Sequence, residues 1–120
     1  MTYEVLEGEQ KVCIYPVGFG FFIRIKDNRC GLFDQLTGEV ILHTEYSLIW
    51  HCPETNRNQV WVVNTQNKVG VFDLIERQWV APLQFTEVFP CPDNPYLFTV
   101  YSQSKRGTYN ALRQKLTWHK

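Results

Sequence analysis

The sequence predicts an all-β protein of three β-meander repeats, each about 37–39 residues long, plus an N-terminal strand. Three observations carry this. A Gly-x-aromatic-Asp/Asn signature recurs as Gly31-Leu32-Phe33-Asp34, Gly70-Val71-Phe72-Asp73 and Gly107-Thr108-Tyr109-Asn110. The segments between are rich in β-branched and aromatic residues, which suit a pleated surface. No stretch combines a 3.6-residue apolar period with helix caps.

The repeat extends beyond its signature. The shift that superposes Gly31 on Gly70 also places Asn28-Arg29 on Asn67-Lys68 and Phe22-Ile23 on Trp61-Val62. It places Val40-Ile41 on Trp79-Val80, Tyr46 on Phe85, and Cys52-Pro53-Glu54 on Cys91-Pro92-Asp93. The shift onto the third copy places Val60-Trp61 on Leu97-Phe98 and Lys68 on Lys105. The chain therefore reads as one domain, 1–120, with repeats at about 20–57, 58–94 and 95–120. A partial copy over 1–19 is suggested by Tyr3-Glu4-Val5-Leu6, which resembles Tyr46-Ser47-Leu48-Ile49.

Within the first unit, Gly20 to Lys26 reads as a strand, and Asp27-Asn28-Arg29 as a turn because Asp and Asn tolerate left-handed backbone. Cys30 to Asp34 is a short second strand. Leu36-Thr37-Gly38 turns the chain, with Gly38 free to take positive φ. Glu39 to Trp50 reads as one long third strand, ended by Cys52-Pro53 because proline cannot donate to a ladder. The second unit follows the same plan, with Thr65-Gln66-Asn67 as its turn and Pro90 to Pro95 as its terminator. In the third, Ala111 to Leu116 falls on a turn and the last strand. The repeated glycine is read as following a tight turn or lying under a neighbouring ring. The aromatic after it is read as core, and the acid or amide as closing the next turn by an Asx hydrogen bond. A threefold-repeated residue fits a structural role better than a catalytic one. The units either close as propeller-like blades or stack as a twisted sheet, and the sequence leaves both open.

These motifs resemble those of the WG-repeat family of bacterial β-repeats, whose unit runs Trp-Gly-(Tyr/Leu)-(Ile/Phe)-Asp, then Gly-x-Val-Ile-x-Pro, then an aromatic. Gly38-Glu39-Val40-Ile41 with Tyr46, and Trp79-Val80-Ala81-Pro82 with Phe85, carry the second half of that pattern. The resemblance covers about residues 20–118. Cys30, Val69 and Arg106 stand in place of the family's Trp, His43 in place of its Pro, and Arg77 in place of its second Gly. The resemblance implies a non-enzymatic repeat scaffold, tied to protein contacts and to toxin–immunity systems.

Composition narrows the function classes. The formal net charge is +0 and aromatics make up 15% of the chain, a balance unlike the strongly basic face of a dedicated nucleic-acid binder. No apolar run approaches the length of a membrane span, and the acidic N-terminus lacks a signal-peptide pattern, so no membrane association and a cytoplasmic location are expected. Residues 1–54 hold eight acids and four bases, and the remainder reverses this, so the surface is polarised.

Catalytic and metal motifs are absent from the sequence. Cys13, Cys30, Cys52 and Cys91 form no Cys-x-x-Cys pair, and are expected to be reduced, buried thiols. A metal site from His51, Cys52 and Cys91 has little support. His43, His51 and His119 sit in no nucleophile setting. Asp34 and Asp73 as paired acids are less plausible than as turn residues, and no phosphate-binding glycine loop occurs. No enzyme activity and no cofactor are expected.

What remains is recognition. Repeat units share a core, so function falls to residues where the repeats differ. The candidate partner-binding residues are Arg24, Glu45, Trp50, Arg77, Trp79, Arg106 and Arg113, with aromatic and Arg anchors as the usual hot spots. The expectation is a non-catalytic protein-binding module, monomeric or a small homo-oligomer. Its sharpest form is a small intracellular inhibitor, such as an immunity protein that neutralises a toxin. The alternative is a nucleic-acid-binding β-domain using the basic third repeat. It would stack bases on Trp79, Tyr96, Tyr101, Tyr109 and Trp118, and contact phosphates through Arg77, Lys105, Arg106 and Arg113.

Overall fold

A computed structural model of the protein describes residues 3–51 and 58–119. Its regular structure is entirely β, in three antiparallel meanders. The first sheet holds β1 (Tyr3–Glu7), β2 (Gln10–Gly18), β3 (Phe21–Lys26), β4 (Arg29–Asp34) and β5 (Val40–Tyr46). The second holds β6 (Leu48–His51), β7 (Gln59–Val63), β8 (Val69–Asp73) and β9 (Gln78–Phe85). The third holds β10 (Glu87–Cys91), β11 (Asn94–Ser102), β12 (Lys105–Asn110) and β13 (Lys115–His119). No helix among the described residues is long and apolar enough to cross a membrane.

The sheets stack in a row. Phe21, Ile23, Cys30, Leu32 and Leu42 of the first sheet pack on Ile49, Val60, Val62, Phe72 and Leu74 of the second. The opposite face of the second sheet, with Trp61, Val69, Val71, Ala81 and Phe85, packs on Val88, Phe98 and Val100 of the third. The middle sheet is covered on both sides, and every residue of β8 is buried. The molecule measures 52 × 26 × 22 Å, so the blades form an open row rather than a ring.

The long third strand expected over Glu39 to Trp50 is instead two strands in different sheets. The chain bends at Ser47, whose N–H donates to Val63 O (2.8 Å) and whose hydroxyl donates to Asn64 O (3.2 Å). Thr86 makes the equivalent bend, with N–H and hydroxyl both donating to Tyr101 O, at 2.8 and 3.0 Å. Each repeat thus lends its last strand to the next sheet, and the chain stitches the stack together. The place that β6 and β10 take in their sheets is filled in the first sheet by β2. The expected match of Tyr3–Leu6 to Tyr46–Ile49 is corrected accordingly, and β1 is an additional strand. Cys52-Pro53 lies outside the described residues. The expected terminator at Pro90–Pro95 is a hairpin that pairs Cys91 with Asn94; Pro90 is tolerated because β10 is an edge strand.

The repeat register also needs correcting by one residue. Phe22 pairs with Phe33, Val60 with Phe72, and Phe98 with Tyr109. The same phase appears in three closing bonds: Gln35 N–H to Gly20 O, Leu74 N–H to Asn58 O, and Ala111 N–H to Tyr96 O, at 2.7, 2.8 and 2.7 Å. Phe22 is therefore equivalent to Val60 and Phe98, not to Trp61. The Val63–Val69 connection is one residue longer than Ile25–Cys30 or Tyr101–Arg106. A slip of one residue exchanges the two faces of a strand.

With this phase, Phe33, Phe72 and Tyr109 share one face. Phe72 lies in the first core, and Tyr109 packs against the second. Phe33 lies on the outward face of the first sheet, stacked on Phe22 at 5.4 Å. The glycines before them admit the last strand of each sheet as it curls across. A Cβ on Gly70 would lie 2.9 Å from Ala81 O, and one on Gly31 would lie 2.9 Å from Leu42 O. At Gly107 the Trp118 ring also lies over the backbone.

The two outward faces carry polar side chains at several positions that are apolar in the cores, beside rings such as Phe22 and Phe33. Arg24 stands where the second and third sheets have Val62 and Val100. It is bound by Glu7 and by the Thr44 hydroxyl, and Glu7 is held below the usual carboxylate range by this hydrogen bond. At the other end, Thr99, Thr108 and Arg106 replace Trp61, Val71 and Val69.

Candidate functional site

The Asx turns place the acids that organise the site. Asp34 Oδ1 accepts from Leu36 and Thr37 N–H at 2.8 and 3.0 Å; Asp73 Oδ1 accepts from Ile75 and Glu76 N–H at 2.9 and 2.8 Å. Asn110 accepts from Arg113 N–H at 3.2 Å. Each turn then passes through a left-handed residue: Gly38 (φ 75°), Arg77 (φ 55°) and Gln114 (φ 52°). The second and third copies accept a non-glycine residue at a position that costs L-residues about 1–2 kcal/mol.

At Arg77 an ion pair accompanies that strain. Its guanidinium reaches across to the first sheet, donating to Asp34 Oδ2 at 2.7 Å and lying 3.8 Å from Glu39. It also covers the Phe21 ring, 5.1 Å from the centroid. The N–H of Thr37, then Arg77, hold the Asp34 carboxyl below its ordinary value. A group with a depressed folded pKa contributes stability that is present above its unfolded pKa, about 4, and lost as pH falls through the lower folded value. Arg77→Gln is therefore expected to melt below wild type at pH 7. The gap should narrow as the pH falls below about 4, which thermal melts across pH will show.

Next to this latch runs a groove of about 510 Å³ between β5 and β9, lined by Glu39 to Leu42, Phe72, Arg77, Gln78 and Trp79. Trp79 remains 37% exposed although it meets Phe72 edge-on at 5.4 Å and Tyr46 at 6.4 Å. Burial, then the neighbouring Glu45 carboxylate, push the Tyr46 hydroxyl up.

The structure brings only Arg77 and Trp79 together among the seven candidate residues. Arg24 lies on the outward face of the first sheet and is engaged by Glu7. Glu45 is exposed beside Tyr46. Trp50 lies over smaller hollows, one with Trp61, Val88 and Phe89 and one with Tyr15 and Ile23. Arg106 pairs with Tyr101 and His119 on the outward face of the third sheet, and Arg113 sits in the turn before β13. The aromatic set proposed for bases is split: Tyr101 faces outward, whereas Tyr109 and Trp118 share the opposite face of the sheet.

The thiols are only partly as expected. Cys30 is buried, and that burial pushes its thiol up, whereas Cys13 and Cys91 are only partly buried. Cys52 lies outside the described residues. Among those described, no three His, Cys, Asp or Glu side chains converge on a point that could hold a metal. Sequence reasoning missed Gln59, Glu39 and Glu76, because Glu39 fills the variable position of Gly38-Glu39-Val40-Ile41, the other two stand outside any motif, and each gains its role from the cross-sheet register.

No family model and no curated protein matches the sequence. Among solved structures the chain is similar to the crystal structure of HIRA(644-1017), with a TM-score of 0.50 and 11% sequence identity over 91% of this chain. The match spans 40% of that HIRA chain, and at such identity the likeness is one of fold.

Proposed function

We propose that this protein is a non-catalytic protein-binding module whose contact surface is the groove between β5 and β9. One observation carries the reading: Trp79 stands 37% exposed beside Arg77 in a groove whose apolar wall is Val40, Ile41, Leu42 and Phe72. Trp and Arg are the commonest anchors of protein interfaces. In its sharpest form the partner is a protein that this small intracellular module inhibits, as an immunity protein does its toxin. Membership of the WG-repeat family belongs to the same proposal, supported by the Gly-x-aromatic-Asp/Asn period.

A photo-crosslinker at position 79 is expected to capture one protein in cells of the native host, while one at exposed Leu36 does not. Trp79→Ala should then weaken that partner roughly thirtyfold, the effect of a hot spot of about 2 kcal/mol. Equal labelling at both positions would sink the reading.

A second reading has one observation of its own. Tyr101, Arg106 and His119 lie side by side on the outward face of the third sheet, with Lys115 on the same face. An aromatic and basic sheet face suits single-stranded nucleic acid. Binding of an oligonucleotide that falls steeply with salt would support it.

A further inference from the structure

The junction between the first and second sheets is filled by a guanidinium, and the junction between the second and third is not. In the first, Arg77 touches Phe21, Asp34 and Glu39. Phe21 pairs with Asp34 as Gln59 pairs with Asp73, so Gln59 and Asp73 are their counterparts, and Gln78 is that of Glu39. Arg77 itself is matched by Gln114, which has the same left-handed backbone but no cation. Where the guanidinium would sit there is a cavity of about 290 Å³, lined by Asn58, Gln59, Asp73, Glu76, Gln78 and Tyr96 among others.

The cavity walls offer acceptors. Gln59 is 3% exposed, and its Nε2 donates to Pro95 O at 3.3 Å. Its Oε1 is the buried side-chain oxygen that has no hydrogen-bond partner among the described residues. A buried acceptor left so has lost its water without gaining a donor, which is costly. Asp73, 7% exposed, spends Oδ1 on Asn58 and on the turn N–H groups; none of the hydrogen bonds among the described residues uses Oδ2, the atom through which Asp34 takes Arg77. Glu76 adds a second carboxylate, and no Lys or Arg lines the space.

We propose that this cavity is a receptor for the guanidinium of an arginine, held by Asp73 Oδ2 and Gln59 Oε1 in the manner of the Arg77–Asp34 pair. A planar guanidinium presents several N–H donors in fixed directions and can bridge a carboxylate and an amide oxygen together. The inference deepens the protein-binding reading: it rests on that reading for a partner that would supply the arginine, which makes the cavity a second contact beside the groove.

The test uses the whole protein and three probes: N-acetyl-arginine amide, free arginine, and N-acetyl-lysine amide. NMR titration is expected to move the Gln59 side-chain amide and the Tyr96 ring signals with the arginine amide, with a millimolar dissociation constant, and far less with the lysine amide. Equal affinity for free arginine would identify a small-molecule source, and preference for the capped form a peptide or protein source. Gln114→Arg should fill the cavity from within. Its melting temperature should rise and its affinity for the probe fall at least about tenfold. Gln59→Leu, which keeps the bulk and removes the acceptor, reads the same contact should Gln114→Arg not fold. No shift of Gln59 or Tyr96 at saturating probe, or undiminished affinity in Gln59→Leu, would overturn the proposal. Failure of position 79 to capture a partner would not move any of these readouts, so the two ideas fail separately.

Discussion

Gly70→Ala is expected to cost about 1–3 kcal/mol, the range for overpacking a close-packed interior. The reason is the identity of the atoms in the way. The new Cβ would meet Ala81 O, Leu83 N and Pro82 C at 2.9, 3.0 and 3.1 Å, all backbone, so no side chain can swing aside. β9 would have to retreat, and with it Ala81 and Phe85, which form part of the core against the third sheet. The melting temperature should fall by about 4 °C per kcal/mol in a domain of this size. Gly107→Ala should cost less although its Cβ would meet Thr117 O at 2.8 Å, because β13 is an edge strand with no sheet beyond it. Leu36→Ala, on an exposed turn, should stay within about 0.5 kcal/mol of wild type. Equal melting of Gly70→Ala and Leu36→Ala would refute the close-approach account of the glycine.

The structural role of the glycine was legible in the sequence because it repeats, although not the last strand's backbone that lies over Gly31 and Gly70 in place of the expected turn or ring. So were the Asx turns at Asp34, Asp73 and Asn110, whose oxygen bonds N–H groups two or three residues ahead. Features that depend on two segments at once were not legible. The long strand expected through Tyr46 and Trp50 shows unbroken β-propensity, and only the acceptors at Val63 and Asn64 reveal the bend at Ser47. The one-residue offset of Trp61 comes from an extra residue in the Val63–Val69 connection, invisible in an alignment anchored on Gly70. The departure of Arg77 from the repeat was plain, but not its reason, because Asp34 lies 43 positions away. The same distance effect hid the acceptor at Gln59, a residue that looks in sequence like an ordinary strand polar.

The interface between the second and third sheets turns on Trp61, and its removal should be the most damaging single change. The indole is buried, packs on Phe98 at 6.3 Å in an edge arrangement, and donates from Nε1 to Val88 O at 2.9 Å. Trp61→Ala removes the largest side chain of that core and should cost about 3–5 kcal/mol. Trp61→Phe keeps an aromatic ring but strands the Val88 carbonyl, at about 1–3 kcal/mol. The two variants separate packing from hydrogen bonding. Because the sheets meet only their neighbours, with cores between first and second and between second and third, stability should be a sum of sheet and interface terms. Loss of Trp61 should then loosen the third sheet before the first. Hydrogen exchange in Trp61→Ala is expected to quicken at Val100 and Gly107 while Ile23 and Leu32 stay protected, since Leu32 lies in the other core. Uniform quickening across all three sheets would mean that the row unfolds as one unit, coupled by the strands that cross from sheet to sheet at Ser47 and Thr86.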